Sequence, residues 1–373
     1  MTAPALTEDD RHFMRVALSL SKRGLGNVWP NPAVGCVLVS PDGVVVGRGH
    51  TRPGGRPHAE RVALDMAGSL AKGTTAYVTL EPCSHFGKSP PCASGLIDAG
   101  ISRVVSALED PDARVSGRGH QMLRNAGINV DVGLLGEEAR RLNEGFLSRV
   151  ERHRPFVTLK LASTLDARSA TACGESQWIT GTDARAQGHL LRANHDAILV
   201  GASTVVADDP TLTCRLAGRE HQSPVRVILD RTGAVPASAK LVQTANEVPT
   251  WLVVSDDHFA ELSEKFEKTS VKVIAAGCVD DHLNLHDVMR KLADLGLTRV
   301  LVESGGNLAA GLIKADCVDR VVHFTAPSMV GDDGKAMVAA LGVKQLSDMP
   351  RFERVSVREI GEDIVITYDN KTD

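Results

Sequence analysis

At 373 residues the chain exceeds one ordinary domain, and its 43% hydrophobic fraction is ample for two cores. A net charge of -4 and only 3% aromatic residues exclude a broad nucleic-acid surface, which needs basic excess and stacking platforms. An odd count of seven cysteines, an amino terminus without an apolar signal stretch, and no run near the roughly 18 apolar residues of a membrane span lead us to expect a cytoplasmic protein.

Thr7-Glu-Asp-Asp10 resembles a helix start, followed by Phe13, Val16, Ala17 and Leu20 at helical spacing until Gly24. Asn31 stands in the loop before an apolar run at Val37 to Val39; with the Pro41-Asp-Gly43 turn and Val44 to Val46 this predicts a hairpin. Asn31 can hydrogen-bond a ring edge, or serve as a turn residue. A glycine-rich, basic stretch from Gly47 to Pro57 contains His50, a spare metal ligand.

The chemistry concentrates next. In His58-Ala-Glu60, His58 opens a predicted helix to Met66; Ala76 to Leu80 reads as a strand, and Pro82-Cys83 and Pro91-Cys92 follow. Twenty-four residues separate His58 from Cys83, and eight separate Cys83 from Cys92. One imidazole and two thiols suit zinc, and three protein ligands leave a tetrahedral position for water, which is the mark of a catalytic site. Glu60 is placed to shuttle protons. This is the zinc-deaminase pattern of H-x-E followed by P-C and a second Cys. That pattern has two residues between its cysteines rather than eight, so His85 competes with Cys92 as a ligand. A structural zinc knot would need a fourth protein ligand, and no obvious one lies close.

Beyond Cys92 we expect a short helix to Ala99, a strand over Arg103 to Leu108, a polar loop from Glu109, a helix from His120 to Ala126, a strand at Ile128 to Val132 and a helix from Glu137 to Phe146. Alternating strands and helices indicate a layered α/β domain. The charged, proline-terminated run Arg149 to Pro155 is taken as the junction, giving domains 1–152 and 153–373.

The second half opens with a strand, Phe156 to Ala162, which carries Lys160; this lysine either snorkels at a sheet edge or steadies an anionic or carbonyl oxygen in a pocket. Ser176-Gln-Trp178 precedes a helix from Thr182 to Ala193 bearing Arg185 and Arg192. Strands follow at His195 to Gly201, Val225 to Leu229, Trp251 to Val254 and Val271 to Ala275, with a turn-rich stretch at Ala207 to Pro210. Arg299 to Glu303 is a last strand running through Ser304-Gly-Gly-Asn307 into a helix to Lys314. Such a connection can seat phosphate, because free N–H groups and the helix dipole face the anion. By itself it is a weak signal, lacking the G-x-G-x-x-G spacing.

The ordered set His58-Ala-Glu60, Leu80-Glu-Pro-Cys-Ser-His85, Pro90-Pro-Cys92, Lys160-Leu-Ala, Gly174-Glu-Ser-Gln-Trp-Ile179 and Glu303-Ser-Gly-Gly306 closely resembles the bifunctional deaminase/reductases of riboflavin biosynthesis, nearly end to end. The resemblance implies an α/β chain with a cytidine-deaminase-like α/β/α domain followed by a dihydrofolate-reductase-like α/β domain. It implies hydrolytic removal of the ring 2-amino group of a diamino-ribosylamino-pyrimidinone phosphate, then reduction of its ribosyl group to ribityl with NADPH.

In the first step zinc on His58, Cys83 and Cys92 acidifies a water, and Glu60 takes the proton. For the second, the resemblance puts NADPH on Ala162, Trp178, Thr204, Asp208 and the run Gly305, Gly306, Asn307, Leu308, Ala309, Ala310 and Gly311. It puts substrate on Ser176, Arg192, Leu212, Arg215 and Glu303, with Arg192 and Arg215 as phosphate clamps. Lys160 is the candidate proton handler. The expected partners are the phosphorylated pyrimidine and further copies of the chain, with neither nucleic acid nor membrane.

The family usually has Asp-Gly after the first reductase strand, whereas Ala167 follows Asp166 here, so strain is expected if that turn needs positive φ. A nucleic-acid base deaminase with a carboxy-terminal binding module shares the zinc chemistry and is the main rival. It predicts no NADPH consumption. A non-enzymatic zinc-scaffolded regulator predicts no ammonia release.

Overall fold

The structure is a computed structural model describing residues 6–85, 90–112 and 116–371. Its contacts divide into two compact units, the first ending at His153 and the second beginning at Arg154. Among the described residues no helix is long and apolar enough to cross a membrane.

The first unit is a five-stranded sheet between helices. Helix α1 (Glu8–Ser21) starts at a capping box in which the Thr7 hydroxyl accepts from the Asp10 N–H and the Asp10 carboxylate accepts from the Thr7 N–H. Strands β1 (Gly35–Val39) and β2 (Val45–His50) form the expected hairpin, with Gly43 at φ 79° in its turn. Then come α2 (Ala59–Ala67), β3 (Thr75–Val78), α3 (Cys92–Asp98), β4 (Arg103–Ser106), α4 (Arg118–Asn125), β5 (Asn129–Val132), α5 (Gly136–Leu142) and α6 (Glu144–Arg152). The strand order is β2-β1-β3-β4-β5; β1 runs antiparallel to both neighbours, and β3, β4 and β5 are parallel. Two apolar cores flank it: Leu38, Ala63, Val78 and Leu96 pack on one face, and Met14, Leu18, Val37 and Val105 on the other.

One expectation changes here. The single helix to Phe146 is two helices broken at Asn143, a buried residue whose Oδ1 accepts from the Ala33 N–H at 3.0 Å and whose Nδ2 donates to the Ala139 carbonyl. The charged stretch Arg149 to Arg152 forms the last turn of α6, ended by His153 at φ 54°, where the first unit closes. Its charges line the solvent face of a helix that buries Leu147 and Ser148.

The second unit comprises β6 (Phe156–Ser163), β7 (Arg168–Ala170), α7 (Thr182–Ala193), β8 (Ala197–Gly201), α8 (Ala202–Asp208), β9 (Val225–Leu229), α9 (Lys240–Gln243), β10 (Thr250–Ser255), α10 (Phe259–Phe266), β11 (Val271–Ala276), β12 (Cys278–Val279), β13 (His282–Leu283), α11 (Leu285–Asp294), β14 (Arg299–Val302), α12 (Gly306–Lys314), β15 (Arg320–Thr325), β16 (Lys335–Ala336), β17 (Phe352–Ile360) and β18 (Asp363–Asn370). Nine strands form one sheet in the order β11-β10-β9-β8-β14-β6-β15-β18-β17, parallel from β11 through β15 and antiparallel in the final hairpin. The turn-rich reading of Ala207 to Pro210 is corrected: Ala202 to Asp208 is helical, and Asp209 at φ 39° closes it.

In this sheet β9 carries Arg226, which is fully buried and, among the described residues, has no carboxylate bonded to it. Its guanidinium donates instead to the carbonyls of Thr211, Leu241, Thr244 and Val248 and to the Thr244 hydroxyl, stapling the connections that follow α8 and α9. Burial pulls its pKa down to about 10.

Ala167 does sit at positive φ, 60°, in a turn held by the Asp166 carboxylate, which accepts from the Thr164 hydroxyl and the Gly331 N–H. Replacing Ala167 by Gly relieves the left-handed penalty but adds unfolded-state entropy, so a net gain of up to about 1 kcal/mol is expected. Urea melts of the two proteins check it.

Candidate active sites

In the first unit, three chain positions converge. His58 is the N-cap of α2, Cys83 lies in the loop beyond β3, and Cys92 is the first residue of α3. The His58 Nδ1 atom stands 3.7 Å from the Cys83 Sγ and 3.4 Å from the Cys92 Sγ, and the Cys92 N–H donates to the Cys83 Sγ at 3.3 Å. A tetrahedral ion with bonds of about 2.3 Å to sulfur and 2.0 Å to nitrogen would set sulfur and nitrogen about 3.6 Å apart. The donor set and its spacing fit zinc. His85 is exposed and His50 lies on β2; neither belongs to the cluster.

Electrostatics agree with a ligand set. The Cys83 thiol is held down at about 4 by hydrogen bonding from the Cys92 thiol, helped by His58, against the effect of burial. Glu60 is buried on the first turn of α2 beside Cys92; desolvation pushes its carboxyl up to about 7, opposed by the attraction of His58. A carboxyl that changes protonation near neutrality suits proton relay. Asn31 lies against Gly55 in the lead-in to His58, so close that a Cβ on Gly55 would meet the Asn31 amide at 1.9 Å. Sequence reasoning missed Asp110, buried beyond β4, whose carboxyl burial raises to about 6. Its only signal was the acidic run after the strand.

In the second unit, a pocket of about 370 Å³ gathers Lys160, Trp178, Arg192, Arg215 and Glu303. Strand β6 lies inside the sheet, so Lys160 does not snorkel at an edge; its Nζ stands 5.7 Å from the Phe324 ring centroid. Arg192 differs from the expected phosphate clamp: its Nε and Nη2 donate to the two Glu303 oxygens at 2.8 and 2.9 Å, and Nη1 donates to the Thr213 carbonyl. Burial would raise the Glu303 carboxyl, but Arg192 holds it at about 2. Two side chains that were not assigned substrate roles, Arg185 and His189, also line the pocket, with Arg185 stacked 4.8 Å over Trp178 and the His189 imidazole held toward its neutral form by burial and by Arg192 and Arg215.

A larger cavity of about 1220 Å³ is lined by Asn307, Leu308, Ala310 and Gly311 of α12, with Gly201 at the end of β8 and Ser203 in the first turn of α8. Helix α12 begins at N-cap Gly305, and a Cβ on Gly306 would strike the Ala336 carbonyl oxygen at 2.8 Å. Exposed helix N–H groups above a roomy cavity suit a dinucleotide's pyrophosphate. Ala309 is buried within α12 and Ala162 lies on β6. Thr204 and Asp208 are on α8 next to the cavity's Ser203 but do not line it; Leu212 is in the core at φ 54°, and Ser176 is exposed outside the pocket.

Comparison with known proteins assigns a family to each unit. Residues 7–108 match the cytidine and deoxycytidylate deaminase zinc-binding region, and residues 155–366 match the RibD C-terminal domain. The riboflavin biosynthesis protein RibD of Aquifex aeolicus is 42% identical over 97% of this chain and 99% of its own. The chain belongs to the RibD family. The Escherichia coli riboflavin biosynthesis protein RibD is 40% identical over 96% of this chain and 98% of its own. Among solved structures, RibD of Acinetobacter baumannii matches with a TM-score of 0.88 and 35% identity, over 98% of this chain and 99% of that one. The diaminohydroxyphosphoribosylaminopyrimidine deaminase/5-amino-6-(5-phosphoribosylamino)uracil reductase of Thermotoga maritima matches with a TM-score of 0.84 and 35% identity, over 97% and 99%. The protein is a bifunctional deaminase and reductase of riboflavin biosynthesis, with zinc serving the cytidine-deaminase-like unit and NADPH the reductase unit.

Proposed function

We propose that residues 1–152 deaminate 2,5-diamino-6-(ribosylamino)-pyrimidinone 5'-phosphate and that residues 153–373 reduce the ribosyl group of the product to ribityl. The observation that carries this reading is the His58, Cys83 and Cys92 triangle at tetrahedral spacing beside buried Glu60. Zinc bound there supplies Lewis acidity, which lets a water lose a proton near neutral pH. Glu60 accepts that proton while oxygen attacks the ring carbon bearing the amine, then returns protons to the ring nitrogen and to the departing ammonia. Asn31 holds the ring edge.

NADPH supplies the hydride of the second step. The residues that would hold it are Asn307, Leu308, Ala310 and Gly311 of α12 with Ser203, which line the larger cavity; Trp178 lines the smaller pocket, and Thr204 and Asp208 stand outside both. Lys160 protonates the sugar oxygen as its carbon is reduced. Glu303, fixed by Arg192, receives the sugar hydroxyls in the pocket it shares with Lys160; Ser176 and Leu212 stand outside that pocket. With Arg192 engaged by Glu303, Arg215 and Arg185 are the cations left for the phosphate. The enzyme works in the cytoplasm and as a homo-oligomer; the second part of that reading is supported by edge strand β17, which exposes Val355 and Val357.

The test supplies the diamino substrate with and without NADPH. Ammonia release without NADPH, and NADPH oxidation only after deamination, are expected. Arg215→Ala should raise the reductase KM for the phosphorylated intermediate about tenfold or more, the value of a charge-assisted contact, with the KM for NADPH unchanged. Absence of ammonia from zinc-loaded protein contradicts the reading.

A further inference from the structure

Glu81 stands two residues before Cys83, with its side chain wholly buried, yet no Lys or Arg bonds to it among the described residues. Its charge is balanced by four backbone donors. Oε2 accepts from the N–H groups of Asp110 at 3.2 Å and Gly117 at 2.9 Å, and Oε1 from those of Gly119 at 2.8 Å and His120 at 3.2 Å. Three of these donors belong to the N-cap and first turn of α4, where the helix dipole favours an anion. The carboxylate thus caps a helix 36 to 39 residues further along the chain.

The packing around it is close. A Cβ at Gly119 would stand 2.0 Å from the Pro82 carbonyl oxygen and 3.1 Å from the Glu81 Oε1, so only glycine lets the first turn of α4 seat on the Glu81-Pro82 segment. The Glu81 N–H donates to the Leu108 carbonyl at 2.8 Å, tying the same segment to the end of β4. Pro82 then restricts the one backbone step between this anchored residue and Cys83. On the far side, the Cys83 carbonyl accepts from the Ala93 N–H at 3.1 Å, and its sulfur accepts from the Cys92 N–H.

Glu81 also lies within metal-ligating distance of Glu109 and His120, with the His120 Nδ1 atom 3.8 Å from its Oε2. That grouping is explained without a second metal: both Glu81 oxygens are already filled by two N–H donors each, and the exposed Glu109 carboxylate accepts from the Ser116 hydroxyl.

We propose that Glu81 is a positioning residue for the zinc centre: through its four N–H bonds it fixes the segment carrying Cys83 against α4 and so sets the direction from which that sulfur meets the metal. The inference rests on the assignment of Cys83 as a zinc ligand. Outer partners that orient ligands typically govern metal affinity by 10- to 100-fold. In Glu81→Gln an amide NH2 replaces one oxygen and faces two N–H groups it cannot accept from, loosening the tether while preserving volume.

The experiment uses the full-length holoenzyme. Glu81→Gln should release zinc to a chromophoric chelator about 10-fold or more faster than the parent, and its cobalt-substituted form should show shifted d–d and thiolate charge-transfer bands. Far-UV circular dichroism matching the parent's reports that the unit carrying Glu81 is folded, and the reductase rate on pre-deaminated intermediate stays unchanged. Should Glu81→Gln fail to fold, Glu81→Asp, which keeps the anion one methylene shorter, decides by the same two readouts. Parental zinc release with a parental cobalt spectrum in a folded variant overturns the proposal, since a helix cap without influence on the metal would behave that way. Cys83→Ser separates the two readings: if it leaves zinc binding and the cobalt spectrum intact, the ligand assignment itself has failed.

Discussion

In full-length Glu60→Gln, ammonia release from the diamino substrate is expected to fall by about 10² to 10⁴, the usual contribution of a positioned acid–base group. Reduction of pre-deaminated intermediate should continue at the parental rate. The glutamine keeps the volume of a fully buried side chain but neither accepts the proton of the attacking water nor returns it to the leaving amine. Zinc should remain bound, because the three proposed ligands are elsewhere. Parallel assays of ammonia and NADPH check the split. Loss of both activities in a folded protein would mean that the two sites do not act independently.

The second large effect is expected at Glu303→Gln, which strips the carboxylate from a bidentate pair with Arg192 whose side chains are only 16% and 14% exposed. Removing one partner leaves a largely buried guanidinium uncompensated, and a loss of about 3 kcal/mol in the stability of the reductase unit is expected. The sign with pH follows from the lowered carboxyl. The pair's contribution is fully present above the ordinary value of 4.5 and disappears as pH falls toward about 2. The parent should therefore lose reductase-unit stability between about pH 4.5 and 2, whereas Glu303→Gln starts lower and loses less across that window. Melts at several pH values, following the reductase transition, would contradict the pairing if the variant matched the parent at pH 7.

The zinc centre was legible because its chemistry is written in short stretches: H-x-E at a helix start, and two cysteines each preceded by proline, with residue types that name the metal. Hairpin β1–β2 and helix α7 were legible for a similar reason, since a turn signal or an apolar period within one segment decides them. What escaped depends on partners far along the chain. Asn143 breaks a helix because it serves the Ala33 N–H 110 residues away, and Glu303 takes up an arginine 111 residues away that otherwise reads as a phosphate clamp. Glu81 looked like part of a motif rather than a helix cap because its donors lie beyond another strand. The lining of the reductase pocket by Arg185 and His189 follows from which face of α7 meets the cavity, and the helical pattern left that face open.

Elemental analysis of the fully active enzyme, before and after chelation, tests the zinc assignment most directly. One zinc per chain is expected, with ammonia release lost on its removal and restored by zinc alone while NADPH-dependent reduction continues throughout. Full deaminase activity in protein that holds no transition metal would contradict it.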